Sequence, residues 1–94
     1  MSNAPSTERA PRTAQPFAAD QTLDCKGLLC PLPVYKASQA MRKLLAGQVL
    51  KVECTDPGSI PDFRAFARQQ GHTLLSADVR DGVQVFHIKK GNAQ

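Results

Sequence analysis

Residues 31–55 read PLPVYKASQAMRKLLAGQVLKVECT, and the period of the apolar residues changes part-way along. From Pro31 to Ala46, Val34, Ala37, Met41, Leu44 and Leu45 fall on one helical stripe, with Lys36, Gln39, Arg42 and Lys43 opposite. Gly47 stands where such a helix is capped. In QVLKVECT the period becomes two, with Leu50, Val52 and Cys54 on one face and Lys51, Glu53 and Thr55 on the other. A helix running straight into a half-buried strand is one unit of a layered α/β fold, so the flanking segments decide which fold it is.

Upstream, QTLDC is a short strand that stops at Lys26-Gly27. Downstream, Asp56-Pro57-Gly58 breaks the strand, and the loop through Ser59 either lies beside the Cys30 segment or only turns the chain, turning being the role expected of it. Ser59 offers an N-cap to a second helix, with Asp62 three residues on and Pro61 in the first turn. Ile60, Phe63, Phe66 and Ala67 supply its buried stripe, and it ends at Gly71. TLLSADV and VQVFHIKK read as strands joined by Arg80-Asp81-Gly82, an Asp-Gly hairpin signal. The order β-α-β-α-β-β predicts an α+β fold. It is a two-layer α/β sandwich, a mixed four-stranded sheet with two helices packed side by side on one face. The other face is expected to be polar and open, with His87 on it. His72 is expected at the second helix's C-terminal end, where a cation suits the dipole.

Ninety-four residues make one domain at most. Residues 1–19, MSNAPSTERAPRTAQPFAA, hold almost no large apolar side chain and read as a disordered tail, leaving residues 20–91 to fold. The tail lacks the apolar centre of a secretory signal. Its two arginines suit a mitochondrial-type presequence, but Pro5, Pro11 and Pro16 spoil the amphipathic helix that needs. No stretch reaches the length of a membrane span. Three cysteines, an odd number, argue against a secreted disulfide framework and point to the reducing cytoplasm. There is no Cys-x-x-Cys, and His72 and His87 lie on separate elements, so no metal site is expected. With a net charge of +4, one tyrosine and no tryptophan, a base-stacking platform for nucleic acid is poorly supplied. Lys36, Arg42, Lys43, Arg64 and Arg68 read as solvated helix faces, suited to docking an acidic protein partner.

The chemistry concentrates in DCKGLLCPLP, residues 24–33. Cys30 lies where a loop meets a helix start, and the unpaired N–H groups there favour a thiolate. Pro31 and Pro33 lack N–H groups and leave Leu32 and Val34 as donors, while Pro31 biases Cys30 toward the N-cap. Gly27 lets the loop turn sharply. From these features alone, a reactive Cys30 and a small connector cysteine both remain open. Asp24 can hold the loop by accepting backbone N–H bonds; close to Cys30, it would raise the thiol's pKa. Cys25 is either a resolving thiol or a space-filling strand residue. Cys54 belongs to the apolar face of its strand and is expected to be inert.

The run G-L-L-C-P-L-P after Leu-Asp, opening an amphipathic helix, resembles the TusA/SirA family of small sulfur-carrier proteins. Gly27 and Cys30-Pro31-Leu32-Pro33 match that family's Cys-Pro-x-Pro signature. TDPGSIPDF, FARQQGH and the last strand before Lys89-Lys90 resemble its later segments, so the likeness covers about residues 21 to 90. The resemblance implies a sulfurtransferase acting as a protein sulfur carrier, with Cys30 as nucleophile and persulfide site. It implies no cofactor, no direct nucleic-acid contact and no membrane. The implied partners of this monomer are a cysteine desulfurase or rhodanese-like donor and a downstream acceptor protein. An already ionised Cys30 would need no general base. Transfer RNA thiolation, molybdenum-cofactor synthesis and oxidation of reduced sulfur compounds are the pathways open to it. The rival readings are a thiol-disulfide redox protein using Cys25 and Cys30, and a non-catalytic interaction module.

Overall fold

In a computed structural model the structure describes residues 18–91, so all but Ala18 and Ala19 of the expected tail lies outside the described residues. The elements are β1 (Gln21–Cys25), α1 (Leu32–Arg42), β2 (Val49–Cys54), α2 (Ser59–Gln70), β3 (Thr73–Arg80) and β4 (Val83–Lys89). The sheet runs β1-β2-β4-β3, with β1 parallel to β2 and the other neighbours antiparallel. This is the predicted mixed four-stranded α+β arrangement. Asp81 (φ 50) and Gly82 (φ 79) both take left-handed angles, the geometry a two-residue hairpin needs to match strand twist. A bulge between Leu74 and Ser76 interrupts β3.

One core joins sheet and helices. Cys25, Leu50, Val52, Cys54, Phe86 and Ile88 from the strands meet Ala37, Ala40, Met41, Phe63 and Phe66 from the helices. Phe63 is fully buried, tilted against Phe86 at 4.7 Å between ring centroids and edge-on to Phe66 at 6.1 Å.

Three local expectations are corrected. Helix α1 ends at Arg42 rather than Ala46, and Leu45 stands exposed. Lys43 and Leu44 donate to Ala40 and Met41, tightening the last turn, while Lys90 Nζ caps the Leu44 carbonyl at 2.7 Å. The outer sheet face is not uniformly open, because His87 is buried beside Ser76, its Nδ1 3.1 Å from the Ser76 hydroxyl. His72 is not a cation at the helix end. Its Nδ1 accepts the Gly91 N–H at 3.1 Å, and burial together with Lys90 pushes its pKa down.

Burial pushes the Cys25 thiol up, and pushes Cys54 up to about 11. Above the ordinary thiol pKa the unfolded chain therefore releases protons that the folded chain keeps, and stability falls as pH rises from about 9 toward 11. Urea midpoints measured at about pH 8 and about pH 10.5 should show this drop, and Cys54→Ala should shrink it.

Candidate active site around Cys30

Because β1 and β2 are parallel and Cys25 is opposite Cys54, the loops that follow them leave the sheet side by side. The first loop closes as Leu28 donates to the Cys25 carbonyl at 3.1 Å. Gly27 takes φ +85 and donates its N–H to Thr55 Oγ1 at 2.9 Å, tying the two loops together. The space around Gly27 is open, so glycine is required by the angle and not by crowding. Gly27→Ala is expected to cost about 1–2 kcal/mol, read as a lowered urea midpoint.

Asp24 Oδ1 accepts the Lys26 N–H at 3.0 Å, and Lys26 Nζ pairs with Asp24 at 3.2 Å and Glu53 at 2.8 Å. These bonds hold the Asp24 carboxyl below its usual range. Asp24 thus serves the turn. The carboxylates that act on Cys30 come from the second loop and α2.

Cys30 donates its N–H to Asp56 Oδ2 at 2.8 Å, while Asp56 Oδ1 accepts the Gly58 N–H at 3.1 Å. The Cys30 thiol itself donates to Asp62 Oδ2. A Cβ on Gly58 would stand 3.3 Å from the sulfur, so Cys30 Sγ lies against the first turn of α2. The N-cap of α1 is Pro31 and that of α2 is Gly58, in place of the expected Cys30 and Ser59. The hydrogen bond to Asp62, then burial, then the charges of Asp62 and Asp56 raise the thiol to about 11. This overturns the expectation of a ready thiolate: two nearby carboxylates outweigh a helix end.

Pro31 follows Cys30 across a cis peptide bond and accepts the Tyr35 N–H at 3.1 Å. Pro33, the second residue of α1, is fully buried. Leu29, Leu32 and Tyr35 are exposed around the loop, and a groove lined by Pro31, Val34, Tyr35, Ala65 and Phe66 runs between the helices up to Asp62. Cys25 and Cys54 are fully buried opposite each other in the strand register, and all three cysteines are free thiols. Among the described residues no group of three or more His, Cys, Asp or Glu side chains is placed to hold a metal.

Sequence reasoning favoured a chain-turning role for the Asp56–Ser59 loop over a place beside Cys30, and gave Asp62 no contact with Cys30, whereas the structure brings both aspartates to it. It also missed Gln84, whose amide nitrogen, oriented by its surroundings, donates to the carbonyls of Asp56 (3.0 Å) and Cys54 (3.2 Å). Gln84 carries a visible signal, a polar residue on the inward face of β4 beside Phe86 and Ile88. Asp56 and Asp62 carry a weaker one, since both are normal residues for a turn and a first helical turn.

Residues 21–90 match the family model described as sulfurtransferase TusA. The chain belongs to the TusA family. The sulfur carrier protein TusA of Allochromatium vinosum is 48% identical over 71 residues, covering 76% of this chain and 93% of that one. A longer Aquifex aeolicus protein is 49% identical over 73 residues, 78% of this chain, which spans only 37% of that relative's length. The crystal structure of a SirA-like protein from Desulfitobacterium hafniense superposes with a TM-score of 0.69 at 30% identity, covering 77% of this chain and 99% of that one. This TusA-family domain thus shares its architecture with the SirA-like structure. No helix among its described residues is long and apolar enough to cross a membrane.

Proposed function

We propose that this TusA-family chain is a cytoplasmic sulfur carrier that accepts sulfane sulfur as a persulfide on Cys30 and passes it to an acceptor protein. The observation that carries this reading is the placement of Cys30. Its backbone is clamped by Asp56, the residue is partly exposed, and its near neighbours in the chain Leu29, Leu32 and Tyr35 are exposed apolar side chains. A fixed nucleophile in an apolar collar suits attack on a sulfur presented by another protein.

In the forward step the Cys30 sulfur attacks the outer sulfur of a donor persulfide, R–S–S⁻. The donor's S–S bond breaks, its electron pair stays on the donor sulfur, and the Cys30 proton ends there as R–SH. The new S–S bond is on Cys30, and no oxidant, metal or cofactor enters the balance. A cysteine desulfurase or rhodanese-like protein is the donor class. The acceptor belongs to transfer RNA thiolation, cofactor synthesis or sulfur oxidation. The carrier works as a monomer, without contacting nucleic acid or membrane.

Intact-protein mass spectrometry after incubation with a cysteine desulfurase and cysteine tests the reading, with a rhodanese or polysulfide donor run alongside. The expected result is a reductant-sensitive gain of one sulfur atom that peptide mapping places on Cys30. A loss of two hydrogens with no sulfur gain would replace it with a thiol-disulfide role for Cys25 and Cys30. No change with any donor would leave an interaction module.

A further inference from the structure

We propose that Asp62 sorts the empty carrier from the loaded one, holding Cys30 inward as a neutral thiol and repelling it once it ends in a persulfide anion. This rests on the persulfide reading above and adds a control to the same site. The geometry that carries it is the hydrogen bond from Cys30 Sγ to Asp62 Oδ2. Asp62 is held in the first turn of α2, where its N–H reaches the Gly58 carbonyl at 3.4 Å.

The two aspartates at the site differ in what surrounds them. Asp56 has one oxygen on the Cys30 N–H and the other on the Gly58 N–H, so backbone donors offset its charge. Among the described residues no lysine, arginine or histidine pairs with Asp62. The charged groups that bear on the Cys30 sulfur are therefore Asp62 from α2 and Asp56 from the second loop, both negative.

In the empty state the S–H gives Asp62 a proton to accept, a charge-assisted hydrogen bond that stabilises the thiol. That hydrogen bond is the largest of the causes that raise the Cys30 pKa to about 11, ahead of burial and the charges of Asp62 and Asp56. A persulfide is a stronger acid than a thiol and is an anion near neutral pH. It has no proton to donate, so its charge meets the Asp62 carboxylate as like against like. In the exchange Cys30–SH + R–S–S⁻ ⇌ Cys30–S–S⁻ + R–SH, Asp62 stabilises the left side and destabilises the right. Sulfur is then held loosely and directed outward, toward the collar of Leu29, Leu32 and Tyr35, as a relay intermediate requires.

The test is Asp62→Asn, which keeps the shape and removes the charge, beside Asp62→Glu as the charge-retaining control. Two quantities are read: iodoacetamide alkylation of empty Cys30 at about pH 7.5, and the ratio of glutathione persulfide to glutathione at which half the Cys30 carries sulfur. In Asp62→Asn alkylation should speed up by about tenfold or more, since each unit of pKa is tenfold in thiolate. The half-loading ratio should move by a similar factor toward easier loading, while Asp62→Glu stays near wild type. Unchanged alkylation and an unchanged half-loading ratio in a folded Asp62→Asn protein would overturn the proposal.

Thermal melting reports whether Asp62→Asn folds. If it does not, Asp62→Ser is read in the same two ways: faster alkylation and easier loading support the proposal, and unchanged values in the folded variant overturn it. Wild-type protein that takes up no sulfur from any persulfide would sink the carrier reading instead. That failure is recognised because it does not depend on residue 62.

Discussion

Cys30→Ser is expected to take up no sulfur from any persulfide donor, although the protein folds as before. The serine hydroxyl can take over the hydrogen bond to Asp62, and the Asp56 clamp acts on the backbone N–H, so the loop keeps its shape. An oxygen in place of the sulfur cannot form the S–S bond on which the transfer depends. Cys25 and Cys54 cannot substitute, because both are fully buried with their thiols pushed up. Intact mass after desulfurase treatment, with a melting curve on the same sample, reads both halves. A one-sulfur gain persisting in Cys30→Ser would move the carrier site elsewhere and sink the assignment.

Phe63→Ala is expected to bring the domain close to unfolding. Phe63 is fully buried, touches Phe66 and Phe86, and joins α2 to the middle of the sheet. Removing such a ring costs about 3–5 kcal/mol. A domain of this size has little beyond that in total, commonly around 5 kcal/mol at the lower end. The melting midpoint should therefore fall by roughly 15–30 °C. Differential scanning calorimetry checks this, and a fall of only a few degrees would show that the Phe63–Phe86 contact is not the centre of the core.

The elements were legible because their periods are clean. That a helix gives way to a strand before Val49, and that Asp81-Gly82 turns the chain, follow from spacing and turn chemistry alone. What could not be read is what distant groups do to one another. Leu44 and Leu45 continue the stripe of α1, yet the helix stops at Arg42, and the Leu44 carbonyl just beyond it is taken by Lys90, a residue far along the chain. Ser59 looks like a cap, but Gly58 takes that place and Asp56 holds the turn. Asp62 fits a first helical turn so well that nothing local suggests its carboxylate faces Cys30. Cys30 itself was visible in its motif, but its protonation depends on charges supplied 26 and 32 residues later.

The registers give the molecule two dissimilar ends. Cys25 and Cys54 finish the parallel strands at one end, next to the loop that carries Cys30. At the other end Val49 is opposite Lys89, and Asp20 donates its N–H to the Val49 carbonyl at 2.8 Å. The backbone thus enters and leaves the folded unit on the side remote from the sulfur. Such a unit works as a cartridge. Its chain entry at Asp20 and its exit at Lys89 share one end of the sheet, and the Cys30 loop has the other.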